Sequence, residues 1–312
     1  MMHFLSFTWN PSTGLDLGFY TIQYYSLMFV ISFIVGWFLM KRIYKKEGEA
    51  LEKLDSLFIY MVLAILIGAR LGHVIFYQPE LFEQDFWSVF LPFETKPEFR
   101  FTGFRGLASH GAGIGVVIAL FMYNRKVLKK PILWIFDRIV IPVSFGAILV
   151  RLGNFINSEI IGKETNESFP FAVRFIRNYY NEGKAMSITN TKSPDAAYNA
   201  IENNPQFAQY LQEVPWTHPA QLYEAFGYIF VFLILWYIYE KTEKKKHLGF
   251  LFGLFLILLW TVRFIAEIFK KSQDGFADGA NALLSTGQWL SIPFIIAGIY
   301  LMLRSKKKTE TT

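Results

Sequence analysis

The polar side chains of greatest chemical interest lie at the end of a long apolar run, in residues 151–162, which read RLGNFINSEIIG. This stretch carries Arg151, Asn154 and Glu159 at a depth where hydrocarbon would surround a spanning helix. Charged groups at membrane depth are costly, so they usually face a protein interior or a wet cavity. The alternative is an arginine at a helix end that extends its charge to the headgroups. The stretch therefore indicates a functional site.

Two further arginines within apolar runs indicate what this site would bind. Arg70 and Arg263 lie at a similar estimated depth to Arg151, from the same side of their runs. A guanidinium group presents a planar fork of donors that matches phosphate oxygens in bidentate fashion. A phospholipid headgroup is therefore the natural ligand of such a cluster.

Three carboxylates at the same depth leave two interpretations open. Glu159, Glu224 and Glu267 could hold the guanidiniums in place for a ligand, or form purely structural ion pairs. Glu267 follows Arg263 by four residues, the spacing at which opposite charges pair on a helix. The histidines at this depth lack a spaced carboxylate motif, so we predict no metal site at His73, His110 or His218.

His110 lies in the glycine-rich segment GLASHGAGIG, at the start of the third apolar run. A lone histidine near a helix start is most often a hydrogen-bonded structural residue, but it can also act as a general base. The flanking glycines permit either the close approach of a ligand or tight helix packing. Both interpretations of His110 stay open at this stage.

The elements that must hold these residues are membrane-spanning helices. Of the 312 residues, 53% are hydrophobic and none is cysteine, which excludes disulfides, cysteine-bound metal and thiolate catalysis by the chain itself. Apolar runs of about 17–25 residues, enough to cross a hydrocarbon core of about 30 Å, recur along the chain. We predict an all-α integral membrane protein with about seven transmembrane helices, near residues 20–40, 57–78, 106–123, 131–153, 220–239, 248–269 and 288–303.

Lysine and arginine are unevenly divided between the two sides of these spans. Basic clusters follow the first, third and fifth spans and close the chain. The positive-inside rule then puts the N-terminus outside and the C-terminus in the cytoplasm. The first 20 residues carry no Lys or Arg, so we expect no cleaved secretory signal. The pI near 9.2 reflects basic clusters suited to anionic lipid headgroups, and we predict no nucleic-acid partner.

The chain shows no internal repeat, so we expect a single polytopic membrane domain over residues 1–312. An outer-side loop insert at about 157–217 interrupts it, and residues 193–213 have the spacing of a short surface helix. The inner halves of the spans are apolar except for Asp137 and Arg138, which we interpret as a structural pair. Because a channel needs a polar path through the whole membrane, this asymmetry favours chemistry on a lipid in the outer leaflet.

Five segments together resemble one known family. They read RLGNFINSEIIG, GLASHGAGIG, THPAQLYEA, TVRFIAEIF and GQWLSIP, and they cover nearly the whole chain in this order. The set resembles the prolipoprotein diacylglyceryl transferases, integral membrane enzymes of bacterial lipoprotein maturation. The chain departs from the family pattern at Val150, where a glycine is usual, and after the sixth span. There the family's arginine-proline-aspartate run appears as KKSQD, residues 270–274.

The resemblance implies an activity and a set of partners. The enzyme would move a diacylglyceryl group from phosphatidylglycerol to the lipobox cysteine thiol in the signal peptide of an exported prolipoprotein, and release glycerol phosphate. It would sit in the lipid bilayer of the bacterial cytoplasmic (inner) membrane, with its active site toward the outer leaflet and no cofactor. By match to the family motifs, the functional positions are Tyr25, His110, Arg151, Asn154, Glu159, Gly162, Arg263 and Glu267.

The implied reaction sets two chemical tasks. A thiol of pKa about 8.5 must lose its proton, and we expect His110 to accept it, with Tyr25 as the weaker alternative. Positive surroundings alone could also lower the thiol pKa enough. Negative charge then grows on the departing phosphate, and we expect Arg151 and Arg263 to clamp it. The expected substrate-binding residues are Arg70, Arg151, Asn154, Glu159, Gly162, Gln221 and Glu267.

Two other classes of protein remain as alternatives. A membrane transporter or channel would need polar lining in the inner halves of the spans. A non-catalytic phospholipid-binding membrane protein would keep the arginines but transfer no lipid. Measured lipid transfer to a thiol would separate the enzyme from both.

Overall fold

The computed structural model describes residues 5–18, 21–91, 93–95, 98–101, 106–271 and 283–305. Helices dominate this part of the chain. In chain order they are α1 (Tyr24–Lys46), α2 (Leu51–Tyr77), α3 (Leu81–Gln84), α4 (Phe86–Phe90), α5 (Ser109–Tyr123), α6 (Ile132–Ile156), α7 (Ile176–Tyr179), α8 (Glu182–Thr189), α9 (Pro194–Asn203), α10 (Ala208–Glu213), α11 (Ala220–Lys241), α12 (Phe250–Ala266) and α13 (Thr286–Arg304).

Six of the described helices are long and apolar enough to cross a membrane: α1, α2, α5 with the π-helical turn Asn124–Leu128, α6, α11 and α13. A seventh apolar helix, α12, is shorter at 17 residues. The prediction of an all-α membrane protein with about seven apolar helices is confirmed. The side of the membrane on which each terminus lies stays a prediction.

The described residues also form seven short strands. They are β1 (Phe7–Trp9), β2 (Gly14–Asp16), β3 (Thr21–Gln23), β4 (Phe93–Glu94), β5 (Arg100–Phe101), β6 (Val173–Phe175) and β7 (Trp216–Thr217). Strand β6 pairs in parallel with β1 and antiparallel with β7. The other strands form two antiparallel pairs, β2 with β3 and β4 with β5. The three-stranded sheet joins the N-terminal segment to two strands of the insert.

Contacts divide the chain into two compact units. The first comprises residues 1–36 and 137–312, and the second comprises residues 37–136. The boundaries between them fall within α1 and α6. The expectation of a single polytopic domain stays a prediction.

In the second unit, α2 and α5 pack at backbone distance. A Cβ added to Gly72 would lie 2.6 Å from the Cα of Gly111, and one added to Gly68 would lie 2.6 Å from the Gly111 oxygen. Small residues allow spanning helices to approach this closely. Gly111, directly after His110, therefore serves helix packing, whereas Gly113 faces open space.

In the first unit, a buried aspartate of α6 fixes the start of α12. Asp137 accepts hydrogen bonds from the backbone N–H groups of Gly249 at 2.7 Å and Phe252 at 2.8 Å. Arg138 donates to the Lys245 oxygen at 3.1 Å, and its Nη1 lies 3.8 Å from Asp137 Oδ2. A carboxylate at this point satisfies the free donors of a helix start. The structural role predicted for Asp137 and Arg138 is confirmed, although their hydrogen bonds go mainly to backbone groups.

Helices α12 and α13 also pack closely. A Cβ added to Gly253 would lie 2.7 Å from the Gly298 oxygen. Helix α13 begins with a capping box, in which Ser285 Oγ accepts from the Gln288 N–H at 3.3 Å and Gln288 Oε1 accepts from the Ser285 N–H at 3.0 Å. This capping fixes the position of Gly287 in the first turn.

The insert has a hydrophobic core of its own. Its fully buried members are Ile176, Tyr180, Ala185, Ala197, Tyr198, Ile201 and Val214. Tyr198 donates a hydrogen bond to the Tyr180 oxygen at 2.9 Å, and Asn181 caps α8 by accepting from the Lys184 N–H at 2.9 Å. Residues 193–213, for which the sequence predicts one short surface helix, contain both α9 and α10.

Candidate active site

The C-terminal end of α6 presents the first two candidate residues on one face. Arg151 and Asn154 are three residues apart and therefore neighbours on a helix, and Arg151 Nη1 donates to Asn154 Oδ1 at 3.2 Å. The helix ends at Ile156, after which Ser158 and Ile160 both adopt a left-handed φ of 56°. A positive φ is unfavourable for a β-branched residue, so surrounding contacts must hold this turn.

That turn brings Glu159 back toward the end of α6. The Glu159 N–H donates to the Asn154 oxygen at 2.9 Å, and Asn154 Nδ2 donates to Glu159 Oε2 at 3.4 Å. Gln221, which is fully buried in α11, donates from Nε2 to the Glu159 backbone oxygen at 2.6 Å. Gln221 Oε1 has no hydrogen-bond partner among the described residues. The headgroup contact predicted for Gln221 stays a prediction, and Oε1 is the atom left for it.

A chain of ion pairs connects α6, α11 and the segment after α12. Arg151 Nε lies 3.0 Å from Glu224 Oε2. Lys270 Nζ lies 3.1 Å from Glu224 Oε1 and 3.5 Å from Glu267 Oε2. Glu224 is fully buried, and the Lys270 side chain is 6% exposed. Buried charges are tolerated when they are paired in this way, so the cluster depends on all four residues.

Lys270 is the member of this cluster that sequence analysis missed. It follows the sixth apolar run, in the KKSQD segment where the sequence departs from the family pattern. Its position three residues after Glu267, the spacing at which opposite charges can meet on a helical turn, was the available signal. Burial lowers the pKa of Lys270 below its ordinary value; Glu224 opposes this shift, and Arg151 and Arg263 add to it.

Arg263 and Glu267 do not form the i,i+4 pair that their spacing predicts. Glu267 pairs with Lys270 instead, and its carboxylate packs on the first turn of α13, where a Cβ added to Gly287 would lie 2.5 Å from Oε1. Arg263 Cζ lies 5.6 Å from the ring centroid of Trp260. Arg263 Nε is buried and has no hydrogen-bond partner in the described ranges. The Glu267 carboxylate thus lies between Lys270 and the first turn of α13.

Tyr25 joins the same group of residues from the first turn of α1. Gly153 makes room for its ring, because a Cβ added to Gly153 would lie 2.7 Å from Tyr25 Cδ2. The Tyr25 hydroxyl lies near the side chains of Asn154, Glu159 and Arg151. The first unit thus brings together most of the predicted site: Tyr25, Arg151, Asn154, Glu159, Gln221, Arg263 and Glu267.

Gly162 lies where three backbone segments meet. Its N–H donates to the His218 oxygen at 2.9 Å, and the next N–H, of Lys163, donates to the Phe269 oxygen at 2.7 Å. A Cβ added to Gly162 would lie 2.6 Å from the His218 Cβ and 2.7 Å from the Phe269 oxygen. Close packing thus accounts for glycine here, and a contact with substrate stays a prediction. Burial lowers the pKa of the neighbouring His218, and Lys163 adds to that shift.

The two remaining candidates, His110 and Arg70, belong to the second unit. His110 is exposed in the first turn of α5, with its ring centroid 5.1 Å from that of Phe76. Arg70 is buried and donates to the backbone oxygens of Ser88 at 2.7 Å and Val89 at 3.2 Å. These bonds anchor the aromatic segment after α2, so they support a structural role for Arg70. The substrate contact predicted for Arg70 stays a prediction.

Apolar helices with a buried cluster of arginine, glutamate and lysine define a multi-pass membrane protein with an internal polar site. Residues 13–304 match the family model for prolipoprotein diacylglyceryl transferase. The chain belongs to this family, and the resemblance identified from its motifs is confirmed.

Relatives from several bacteria align with this chain almost end to end. A phosphatidylglycerol–prolipoprotein diacylglyceryl transferase of Tolumonas auensis is 36% identical over 301 residues, which is 96% of this chain and 98% of the relative. A protein of the same name from Bacteroides fragilis is 36% identical over 307 residues, 97% of each chain. Another, from Porphyromonas gingivalis, is 32% identical over 312 residues, covering 99% of this chain and 97% of the relative.

Proposed function

We propose that this chain transfers the diacylglyceryl group of phosphatidylglycerol to the cysteine thiol of a prolipoprotein. The thiolate sulfur forms a bond to the carbon of the diacylglyceryl group that carries the phosphate. The bond from that carbon to the phosphate oxygen breaks. The electron pair leaves with glycerol phosphate, and the thiol proton passes to a base. The products are a thioether-linked lipid and a phosphate monoester. Membership of the transferase family and the names of the relatives support this reaction.

The structural observation that carries the proposal is the state of Arg263. Its Nε is buried and lacks a hydrogen-bond partner among the described residues, within the first unit's cluster of paired charges. A buried donor of this kind is costly unless a ligand or water completes it. A phosphate oxygen is the acceptor that best matches a guanidinium fork. Arg263 is therefore the residue we assign to the phosphate of the lipid.

Arg151 has a different part in this arrangement. Its Nε is paired with Glu224 and its Nη1 donates to Asn154, so these atoms are already used within the protein. A guanidinium held in this way provides a fixed positive potential that needs no reorganisation when the leaving group gains charge. We assign Arg151 to charge stabilisation at the departing phosphate, beside the direct contact made by Arg263.

The thiol proton needs an acceptor, for which His110 and Tyr25 are the candidates. An imidazole is a better proton acceptor at neutral pH than a phenol, which must first lose its own proton. This difference favours His110. Asn154 and Gln221 are assigned to the headgroup hydroxyls.

The proposed setting is the bacterial cytoplasmic membrane, with the cluster open to the outer leaflet. The uneven distribution of Lys and Arg along the chain supports this orientation. An exported prolipoprotein would then present its lipobox cysteine on the side where the cluster lies. Attachment of a membrane-impermeant reagent to single cysteines introduced in the insert and in the C-terminal tail would test the orientation.

The decisive experiment uses the purified chain in bilayers that contain labelled phosphatidylglycerol and a synthetic lipobox peptide. We expect label on the peptide, glycerol phosphate in equal amount, and no product with a peptide whose cysteine is replaced by serine. Absence of transfer with full lipid binding would instead indicate the non-catalytic phospholipid-binding alternative. The transporter alternative is not favoured, because the chain aligns with transferases along nearly its whole length.

A further inference from the structure

Lys270 occupies the centre of the ion-pair chain. Its Nζ lies between two carboxylates, 3.1 Å from Glu224 and 3.5 Å from Glu267. The backbone around it is fixed as well, because Lys271 donates to the Ile161 oxygen at 3.3 Å and Lys270 itself forms an isolated β-bridge with Gly162. The side chain of the lysine is thus held between Glu224 and Glu267, and its main chain is held against the turn that follows α6.

The second observation is where the Glu267 carboxylate goes. Four residues separate it from Arg263, a spacing at which opposite charges on a helix attract each other. Instead it lies between Lys270 and the first turn of α13, against Gly287. A helix start carries partial positive charge, so this location also suits an anion. Two positive groups therefore compete with Arg263 for one carboxylate.

We propose that Lys270 is a positioning residue that draws Glu267 away from Arg263 and so keeps the Arg263 guanidinium available for a phosphate-bearing ligand. The inference rests on the proposed function, because the ligand is the phosphate of the lipid substrate. It adds a reason for the open donor of Arg263: the carboxylate that would fill it is held elsewhere.

The chemistry of the two basic side chains fits this division of roles. A lysine ammonium is a compact point charge that can sit between two carboxylates, whereas an arginine fork matches the oxygens of one phosphate group. Removal of Lys270 would leave Glu224 and Glu267 with one cation fewer between them. Glu267 would then be free to pair with Arg263, the cation four residues before it in the chain.

A pair of variants tests this directly. Lys270→Met removes the ammonium group, and the second variant combines Lys270→Met with Glu267→Gln, which also removes the competing carboxylate. We expect Lys270→Met to weaken binding of phosphatidylglycerol by roughly tenfold or more, the loss typical of one charge-assisted contact. The double variant should recover most of that affinity. Lys270→Arg should retain it, because the positive charge stays in place.

Binding is measured with spin-labelled phosphatidylglycerol in bilayers of uncharged lipid, so it does not depend on turnover. Lys192→Met, at an exposed lysine of the insert, serves as the matched control and should bind as the unaltered chain does. Thermal unfolding of each variant shows whether the fold is kept. A double variant that binds no better than Lys270→Met while folded would overturn the inference. Normal lipid binding by Lys270→Met would also overturn the inference. Absence of lipid transfer by the unaltered chain would contradict the proposed function, whatever the binding results.

Discussion

Glu224 of α11 holds Arg151 of α6 through an ion pair of 3.0 Å in which the carboxylate is fully buried. The other oxygen of the same carboxylate faces Lys270 at 3.1 Å. One glutamate thus joins the end of α6 to the segment after α12. In sequence terms, these contacts span residues 151 to 270 and cannot be read from local spacing.

Replacement of Glu224 by glutamine should remove the negative charge that pairs with Arg151 and Lys270. Two cations would then face a neutral amide in a buried place, and breaking a buried pair typically costs about 3–5 kcal/mol. We expect a lower melting temperature and a loss of lipid transfer. Glu52→Gln, at an exposed position of α2, is the control for the loss of one negative charge. Unchanged stability in Glu224→Gln would show that the pair is not required for the fold.

Replacement of Arg263 by lysine should keep the charge and lose the donor fork. We expect lipid transfer to fall roughly 10- to 100-fold, since one well-placed donor to a developing anion is worth at least that much. Arg125→Lys, at an exposed arginine, provides the comparison. If turnover in Arg263→Lys matches that of the unaltered chain, bidentate phosphate binding by Arg263 is excluded.

His110→Asn should separate proton transfer from lipid binding. Loss of a general base typically lowers turnover by about 10²–10⁴-fold, while the lipid contacts assigned above lie on other residues. We therefore expect a large fall in kcat and an unchanged affinity for phosphatidylglycerol. Residual activity should then rise with pH, as the peptide thiol ionises without help. Full activity at neutral pH in this variant would leave His110 a structural residue.

Gly287→Ala tests the position of Glu267. The added methyl group would lie 2.5 Å from Glu267 Oε1, so the carboxylate must move. We expect weaker lipid binding, by the same route as in Lys270→Met. Gly113→Ala is the matched control, because nothing lies within 4 Å of a Cβ at that position and alanine favours a helix. Equal lipid binding by Gly287→Ala and Gly113→Ala would contradict the close contact between Glu267 and Gly287.

The pH dependence of activity should show the deprotonation of Lys270. Because burial lowers the pKa of this lysine, it releases its proton at a lower pH than an exposed lysine would. We expect activity to fall on the alkaline side as the ion pairs to Glu224 and Glu267 are lost, and this alkaline limb to disappear in Lys270→Arg. An alkaline limb that is the same in both proteins would assign it to another group.

The lowered pKa of Lys270 has the opposite effect on the free energy of unfolding. Between the lowered pKa of Lys270 and its ordinary value, the unfolded chain binds more protons than the folded one. The contribution of this residue to the free energy of unfolding therefore rises with pH across that window. Loss of activity there should occur without loss of fold, which circular dichroism at each pH can check.

Loss of the Asp137 carboxylate should destabilise the start of α12. Asp137→Ala removes two charge-assisted hydrogen bonds to backbone N–H groups and leaves those donors buried. We expect roughly 3 kcal/mol less stability. Asp55→Asn, at an exposed position of α2, should change little by comparison. Denaturation in mixed micelles gives both values.

Local sequence patterns predict the apolar helices and the side chains that are neighbours within one helix. Hydropathy predicts the apolar helices, and a helix necessarily puts Arg151 beside Asn154. Tertiary contacts decide the rest. Spacing predicts that Arg263 pairs with Glu267, and this is wrong: the carboxylate lies instead against Lys270, beyond the helix end, and the start of α13. A local pattern cannot anticipate a competing charge whose position depends on how the chain folds back.

Helix α12 has 17 residues, which at about 1.5 Å each extend roughly 25 Å. A bilayer core of about 30 Å is thicker than that. Where this helix faces lipid, the mismatch favours a locally thinner bilayer. Host membranes with shorter acyl tails should relieve this mismatch, so tail length becomes a physical control on the enzyme that is separate from headgroup recognition.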